Sequence, residues 1–437
     1  MKTKAGLMRK TKYQWIKSLP NEWQLKPLKH SVKINSEALP ESTPHNLSIK
    51  YVDIGNVNSL GQVKEPNEML FENAPSRARR VVRSGDTILS TVRTYLKAVA
   101  FIDFAEPNLI ASTGFAVLRP NRKDLSPQFL YYIVSSEPFI QAVSAHSVGV
   151  SYPAINSSDL GILPFWFPSI DEQKAIIGFL DRKITLIDDL IAKKERQIEL
   201  LNEKRQALIS HAVTKGLNKD APMRFSGLAW LPKIPENWTV KPLKFVSPSI
   251  SVGIVITPSK YYVESGVPCL RSLNVKEGYL TNEDLVFISK ESNDELSKSK
   301  IYLGDIVAVR TGQPGTTAQI DERFDGANCI DLIIIRQSKT VVSDFLVYLL
   351  NSCFAKEQFG AGSGGAIQQH FNIETAQNLQ VVIPPINDQL KIVRFLSETG
   401  KDLCSQIEKI KRQFFLLQEY RTTLISAAVT GKIDVQN

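Results

Sequence analysis

The sequence predicts a mixed α/β (α+β) protein in which two globular domains are separated by two long helices that pair as an antiparallel coiled coil, with an internal pseudo-two-fold duplication. Three observations support this fold class. The chain repeats itself at a shift of about 216 residues, and two copies account for nearly all of its 437 residues. Each copy contains short β-rich runs bounded by Gly, Pro and Asn. Each copy also ends in a long segment whose apolar residues recur every three or four positions.

The repeat is clearest at the two ends of each copy. The phrase WIKSLPNEWQLKPLK begins at Trp15, and WLPKIPENWTVKPLK begins at Trp230. The endings are LISHAVTKG at 208–216 and LISAAVTGK at 424–432. One copy is therefore an opening segment, a globular part and a terminal helix.

The globular part of each copy is predicted to contain strands followed by one or two helices. DTILSTV and VAFID in the first copy, and DIVAVR and CIDLIIIR in the second, have the composition of strands. The stretches FLYYIVSS and FLVYLLNS are amphipathic at helical spacing. We therefore divide the chain into residues 1–168 (opening segment and first globular domain), 169–217 (first long helix), 218–384 (second opening segment and domain) and 385–437 (second long helix).

The two terminal segments share one heptad register. Eight of ten seam positions, those expected to face a partner helix, are apolar in each segment. A single amphipathic helix usually packs on its own domain, but two helices with one register, each too long for one domain to cover, favour pairing. Gly400 interrupts the second seam. The predicted seam residues are Ile184, Ile187, Ile191, Ile198, Leu201, Leu208, Leu403, Ile407, Ile410, Phe414, Leu417 and Leu424.

The duplication also predicts how the two helices run. Duplicated units with one kind of mutual contact are generally related by a two-fold axis, so the helices should be antiparallel. The second opening segment follows the first helix directly. The first opening segment should then lie beside the end of the second helix, which predicts that Trp15 and Trp23 lie near Val429.

Charge and composition exclude few classes of function. The net charge of +9 is concentrated at the N-terminus, where residues 1–40 hold nine Lys or Arg against two acids, while 41–170 and 218–386 are balanced. Total charge is therefore weak support for nucleic-acid binding. The four cysteines and five histidines show no metal-ligand spacing, so we expect free thiols and no metal. No apolar run is long enough for a membrane span, and a cytoplasmic protein is expected.

A rigid spacer between two similar but diverged domains suits the reading of two separate places on DNA, and the expected site is asymmetric. Polar loop residues can also be merely solvated, and that alternative stays open for every position. In the first copy the candidate DNA contacts are Arg77, Arg79, Arg80, Arg83, Arg93, Tyr95 and Lys97, with Ser147 and Tyr152 in a later loop. In the second copy they are Arg310, Gln313 and Gln319, in a loop punctuated by Gly and Pro.

Catalytic signals are poor. The chain has no phosphate-binding lysine loop, no dinucleotide fingerprint and no Gly-x-Ser-x-Gly. Asp86 and Asp305 occur in both copies, but a Gly-Asp turn before a strand is ordinarily structural. The sequence therefore predicts a binding subunit without catalytic residues. The alternative is a coiled-coil scaffold that joins proteins without sequence-specific DNA binding.

The order of these phrases resembles the specificity subunits of type I restriction-modification systems. The resemblance rests on the two opening phrases, the GDTIL and GDIVA turns, the SIDEQ and PINDQ helix openings and the LIS endings, and it covers nearly the whole chain. It implies two target-recognition domains, each reading one half of a bipartite DNA site, with the coiled coil fixing the spacer. It also implies double-stranded DNA, two modification (methyltransferase) subunits and restriction (translocase/endonuclease) subunits as partners.

The resemblance implies no cofactor for this chain, and S-adenosylmethionine, ATP and Mg²⁺ for the partner subunits. The long helices and opening segments are where the modification subunits are expected to dock. Carried over by position, Arg77, Arg79, Arg80, Arg93, Tyr95 and Tyr152 fall in the first recognition domain. Arg310, Gln313, Gln319, Ser363 and Gln368 fall in the second.

Overall fold

The computed structural model describes residues 8–58, 60–149, 151–361 and 371–435. The chain divides into two compact units, and each contains part of both long helices. The first unit is the chain up to Glu195 together with the segment from Arg412 onward, and the second is Arg196–Lys411. The mixture of strands and helices confirms the predicted fold class.

The first unit alternates short strands with short helices before its long helix. Its strands are β1 Met8–Tyr13, β2 Ile16–Pro20, β3 Gln24–Pro27, β4 Val32–Ile34, β5 Ser48–Val52, β6 Asn67–Leu70, β7 Ala78–Val81, β8 Thr87–Ser90, β9 Val99–Phe101, β10 Leu109–Ser112, β11 Phe115–Pro120 and β12 Pro164–Phe167. Its helices are α1 Pro127–Val134, α2 Glu137–Ala145, α3 Ser157–Ile162 and the start of α4 Ile170–Lys215.

The second unit repeats this order with additions. Its strands are β13 Met223–Leu228, β14 Leu231–Pro235, β15 Thr239–Pro242, β16 Ile250–Val252, β17 Tyr262–Val263, β18 Val267–Leu270, β19 Val275–Lys276, β20 Tyr279–Leu280, β21 Val286–Ile288, β22 Ile306–Val309, β23 Thr317–Gln319, β24 Asn328–Cys329, β25 Leu332–Ile335 and β26 Gln380–Ile383. Its helices are α5 Lys290–Glu295, α6 Ser343–Leu350, α7 Cys353–Ala361, α8 Ile373–Asn378 and the start of α9 Ile386–Val429.

One four-stranded sheet, one strand pair and the opening hairpin have the same topology in both units, which confirms the internal duplication. The antiparallel sheet β4-β11-β8-β9 has β16-β25-β22-β23 as its counterpart, and the pair β12-β3 corresponds to β26-β15. A second four-stranded sheet in each unit contains one parallel pairing, β5 with β10 and β18 with β24. The opening hairpins even share their register, because Met8 faces Pro20 in one and Met223 faces Pro235 in the other.

The two long helices run antiparallel, as predicted, and pack as a coiled coil. In the first unit, the end of α9 lies near the start of α4, since the Trp166 indole donates to the Val429 carbonyl over 2.7 Å. Further along, Arg421 of α9 pairs with Asp188 of α4 at 2.8 Å. In the second unit, Ile209 near the end of α4 shares a core with Ile392 near the start of α9. No helix in the described part of the chain has an apolar stretch that could span a bilayer.

The predicted seam residues lie on the less exposed side of their helices. Ile184, Ile187 and Ile191 are buried on α4, and Leu403, Ile407 and Leu424 are buried on α9. The remaining seam residues, Ile198, Leu201, Leu208, Ile410, Phe414 and Leu417, are half-buried. Burial at spacings of three and four is the pattern expected when one stripe of each helix faces a partner.

The end of each long helix packs against the tryptophan of an opening segment. Trp23 and Val429 belong to one buried cluster, which confirms the predicted closeness of the N-terminal segment to the end of α9. Gly431, with φ of 68°, lies against Pro20 and Trp23, while Gly216, with φ of 79°, lies against Trp238. A side chain at either glycine would meet these rings in a backbone conformation that L-residues rarely adopt. The opening phrase therefore occurs twice because each helix end is covered by it.

A buried glutamine ties the start of each long helix to a short helix. The Gln173 side chain accepts a hydrogen bond from the Ser126 amide at the start of α1 and donates to the Pro168 carbonyl. Gln389 does the same with the Val342 amide and the Pro384 carbonyl. Because a buried amide group is costly unless it is hydrogen-bonded, these contacts fix how the two helices meet.

Serines near the helix ends cap further short helices. The Ser426 hydroxyl accepts from the backbone amide of Glu137, the first residue of α2. The Ser210 hydroxyl accepts from the amide of Cys353, the first residue of α7. Each satisfies an amide that has no partner within its own helix. This explains the recurrence of the LIS endings.

The repeated aspartates Asp86 and Asp305 are structural, as the sequence indicates. Asp86 is 1% exposed and Asp305 is 3% exposed. Asp86 accepts from the Arg83 amide and from both Arg119 Nε and a terminal nitrogen of the same guanidinium, each at 2.8 Å. Asp305 accepts from the Tyr302 amide and pairs with Arg336. Both oxygens of each carboxylate accept from internal donors, so neither carboxylate is available for acid–base chemistry.

Replacing Asp86 with Ala should lower the free energy of unfolding by about 3 kcal/mol, because it leaves the Arg119 guanidinium and the Arg83 amide without their buried acceptor. Urea unfolding of the full chain measures the change. The exposed Asp103→Ala is the control and should stay within about 0.5 kcal/mol of the parent chain. Equal stability of the two variants would contradict the structural role.

Candidate nucleic-acid interface

The strand β8 of the first unit runs into an exposed turn formed by Arg93–Lys97. Arg93 and Lys97 both adopt left-handed backbone conformations, with φ of 50° and 52°, on either side of a single turn of 3-10 helix. The Arg93 amide donates to the Pro153 carbonyl over 2.9 Å, and Val92 forms a β-bridge with Ala154. The backbone therefore holds this turn beside the loop that follows α2.

Large side chains project into solvent where these two segments meet. The Arg93 guanidinium lies 4.7 Å above the Tyr152 ring. Tyr152 is 64% exposed, Tyr95 is 56% exposed and Val148 is 78% exposed, and Leu96 is also exposed. We call these five residues, Arg93, Tyr95, Leu96, Val148 and Tyr152, the Arg93 surface.

Ser147 supports this surface from below. Its hydroxyl donates to the Val143 carbonyl of α2 over 2.8 Å and lies 3.1 Å from the Thr94 hydroxyl. Ser147 is thus positioned to hold the two segments together, and its hydroxyl is already engaged within the protein. Of the predicted contacts, the structure brings together Arg93, Tyr95, Ser147 and Tyr152.

The chemistry of the Arg93 surface suits a nucleic acid. An arginine can bind phosphate or pair with a guanine edge, and exposed tyrosines can stack on bases or contact thymine methyl groups. Exposed aromatic and apolar side chains would otherwise remain in contact with water. This arrangement is therefore the strongest candidate interface in the first unit.

The remaining basic candidates of the first unit have separate environments. Lys97 pairs with Glu137 at 2.7 Å, and Arg83 pairs with Glu37 at 2.6 Å. Hydrogen bonds donated by Arg83 and Arg119 hold the pKa of Glu37 below its usual value, so they favour the ionised carboxylate. The Arg79 guanidinium lies 4.9 Å above the Phe71 ring. Arg77 is exposed, with Asp53 at 3.9 Å. These arginines do not form one patch.

Arg80 is half-buried, as is its neighbour Arg79. Its backbone pairs with Ala111 of β10 within the sheet. Among the described residues its Nε has no hydrogen-bond partner, and burial lowers the pKa of the guanidinium. A desolvated cation without a carboxylate is a place where an anion such as a phosphate would be stabilised.

In the second unit, Arg310 directly follows β22 as Thr91 follows β8, so it lies in the equivalent turn but two positions before the equivalent of Arg93. Instead of an aromatic ring, its guanidinium meets Asp331, which also accepts from the Thr311 hydroxyl over 2.8 Å. Gln313 is exposed in the following turn. The two turns therefore differ in both charge and shape.

Gln319 was predicted to lie in a loop, and this prediction is wrong. It lies in strand β23, paired with Ile306 of β22, and is half-buried. The run TTAQ opens with two threonines, a residue type that favours strands, and this signal was obscured by the surrounding Gly and Pro. Ser363 and Gln368 lie outside the described residues.

Three residues of these surfaces were not among the predicted contacts. Val148 and Leu96 are apolar residues in polar loops, and Asp331 is the acidic partner of Arg310. Val148 had a detectable signal, since an apolar residue next to Gly149 and away from any periodic segment is not explained by core packing. Within the described ranges, no cluster of three or more His, Cys, Asp or Glu side chains could hold a metal ion.

Comparison with known proteins identifies the relatives of this chain. The family model of the type I restriction modification DNA specificity domain matches it twice, at residues 20–200 and 235–413. The type I restriction enzyme MjaVIII specificity subunit of Methanocaldococcus jannaschii is 24% identical over 337 residues, which cover 75% of each protein. The MjaIX specificity subunit of the same organism is 22% identical over 436 residues, which cover 96% of each protein.

A solved structure shows the same fold. A chain from a structural study of complex assembly and conformational transition in a type I R-M system aligns with a TM-score of 0.70 and 22% sequence identity. The alignment covers 95% of this chain and 99% of that chain.

Proposed function

The chain belongs to the family of type I restriction modification DNA specificity domains and carries two of them, and from this premise we propose that each domain reads one half of an asymmetric, bipartite DNA site. The observation that carries the proposal is the combination of one repeated scaffold with two different surfaces in the turns after the equivalent strands β8 and β22. In the first unit, Arg93 stacks on Tyr152, and in the second, Arg310 pairs with Asp331. Two unlike surfaces on like domains would read unlike half-sites.

The spacer between the half-sites is proposed to be set by the helix pair. Helix α4 is continuous over 46 residues and α9 over 44 residues, and each has residues in both units. At about 1.5 Å per residue, α4 is roughly 70 Å long. A continuous helix cannot bend freely, so its length would fix the separation of the two reading surfaces.

The chain is proposed to act without catalytic residues of its own and to dock modification and restriction subunits. The two relatives described above are named specificity subunits of type I restriction enzymes, which supports this role. The modification subunits would supply adenine methylation from S-adenosylmethionine, and the restriction subunits would use ATP and Mg²⁺. The outward faces of the helix pair, which carry exposed Leu186, Leu190, Leu416 and Tyr420, support docking of partner helices.

Co-expression of this chain with its modification subunit should yield methylated adenines in one split, asymmetric motif. Replacing residues 30–160 with those of a relative should change one half of that motif only, because the second unit and the helices are untouched. Sequencing of methylated DNA from the two strains measures both motifs. The control is the parent chain expressed without the modification subunit.

Methylation at unrelated sequences, or a change in both half-sites after the exchange, would contradict the assignment of one half-site to each unit. Partner binding without any sequence preference would instead favour a protein scaffold.

Lengthening both long helices should change the gap between the two half-sites. Inserting one heptad at matched positions near the middle of α4 and α9 preserves the seam register and adds about 10 Å of helix. The unspecified gap in the methylated motif should then grow by about three base pairs, at roughly 3.4 Å each, while both half-sites keep their sequence. An unchanged gap in an active variant would show that the helices do not set the spacing.

The Arg93 surface is expected to contact bases. Arg93→Met and Tyr152→Ala should each weaken binding to the motif by roughly 5- to 100-fold, because a base contact is worth about 1–3 kcal/mol. Fluorescence anisotropy with motif and scrambled duplexes measures the loss. Arg122→Met removes an exposed arginine elsewhere in the same unit and should leave the preference for the motif unchanged. Equal behaviour of all three variants would remove this surface from the interface.

A further inference from the structure

The opening hairpin of the first unit, β1 and β2, carries exposed lysines and no acidic residue. Lys10, Lys12 and Lys17 are all exposed, and the first acidic residue of the chain is Glu22. Within the part of the chain that the structure describes, none of the three ammonium groups pairs with a carboxylate. Arg9 is different, because its guanidinium donates to the Trp23 carbonyl and so stabilises the fold.

The second unit shows that these lysines are not needed to build the hairpin. Its opening hairpin, β13 and β14, has the same register and the same bulge. At the shift of 215 residues, the positions of Lys10, Lys12 and Lys17 are occupied there by Phe225, Gly227 and Pro232. The structural arginine is retained, since Arg224 donates to the Trp238 carbonyl as Arg9 does to Trp23. The lysines are therefore specific to the first unit and have no shared structural role.

The hairpin turn lies next to the Arg93 surface. The Trp15 ring at the turn packs edge-on against His146, with ring centroids 5.7 Å apart. His146 directly precedes Ser147, whose hydroxyl supports the 93–97 turn. Trp15 also stacks on Tyr13 at 5.8 Å, and the Lys12 ammonium lies 5.5 Å from the Tyr13 ring. A chain of contacts thus connects the lysine-bearing turn to the candidate base-reading residues.

We propose that this lysine hairpin, Lys10, Lys12 and Lys17 on β1 and β2, binds backbone phosphates of duplex DNA that flank the half-site read by the first unit. The inference rests on the proposed function and extends it to a sequence-independent contact on one side of the site only. Exposed lysines without carboxylate partners attract phosphates as flexible point charges, and such contacts position a protein without reading bases. Their place beside a base-reading surface favours DNA over an acidic protein face, and so does their absence from the three equivalent positions of the second hairpin, whose one lysine is Lys233.

The test compares the full chain with the variant K10Q/K12Q/K17Q. Binding to motif and scrambled duplexes is measured by fluorescence anisotropy between 50 and 400 mM salt. Three lost phosphate contacts should reduce the slope of log affinity against log salt by about 2–3 on both duplexes, since each contact contributes roughly 0.9. The ratio of affinities for motif and scrambled DNA should not change.

The matched control K290Q/K298Q/K339Q removes the same three charges from exposed positions of the second unit and should leave the slope unchanged. Equal slopes for parent and hairpin variant would overturn the proposal. An equal loss of slope in the control variant would also overturn it. Loss of co-purification with the modification subunit at an unchanged slope would overturn it as well, because that result would assign the hairpin to a protein contact. The salt slope on the scrambled duplex tests the hairpin even if the parent chain shows no preference for the motif. A lack of preference for the motif would count against the proposed reading function and not against the hairpin contact.

Discussion

The structure depends on one constraint, which is that the apolar stripe of each long helix must be covered along its whole length. In the first unit, the stripe at the end of α9 is buried by residues from the start of the chain and from α4, and Trp23, Ile184, Leu424 and Val429 share one core. Each such fully buried aliphatic side chain contributes about 1.5–3 kcal/mol. The first unit is therefore complete only when the last residues of the chain have joined it. Contacts across some 400 residues of sequence are slow to form, so this closure is expected to be a late step of folding.

The same constraint explains which features recur in the two units and which do not. Asp86 and Asp305, Gln173 and Gln389, and Ser210 and Ser426 each satisfy backbone or side-chain donors inside the protein. Losing such a partner leaves an unsatisfied group that costs about 1–3 kcal/mol, so both copies keep them. The turns after β8 and β22 face solvent and have no such requirement. One unit has Tyr95 and Leu96 there, and the other has Gly312 and Gln313. A buried frame that resists change and a surface that tolerates change allow one fold to carry different surfaces.

The charged side chains also divide into buried groups that need a partner and exposed groups that do not. The buried or half-buried cations Arg119 and Arg421 meet carboxylates, because an unpaired charge removed from water is costly. Exposed cations on the lysine hairpin carry no such partner, because water already stabilises them. The net charge of +9 is therefore misleading as a single number. The location of this charge, on a hairpin whose counterpart carries a single lysine, Lys233, is more informative.

Much of this architecture could be predicted from the sequence, since repeats, heptad periodicity and helix openings are local patterns. The antiparallel helix pair, the closeness of Trp23 to Val429 and the structural role of Asp86 all follow from such patterns combined with symmetry. The seam register needed only the spacing of its apolar residues. The duplication further required that both globular parts share a topology, because equivalent sequences bury equivalent positions.

Tertiary structure alone decided which polar side chains reach solvent together. Residues 77–97 form one basic run in the sequence, but the alternation of strand faces and the turn at Arg93 give each cation a different neighbour. Tyr152 joins Arg93 because a β-bridge between Val92 and Ala154 brings together segments some 60 residues apart. Gln319 was predicted to be in a loop and is in a strand because its pairing with Ile306 depends on a sheet, not on local composition. Contacts between distant segments depend on the whole packed chain, and single-sequence patterns carry no direct record of them.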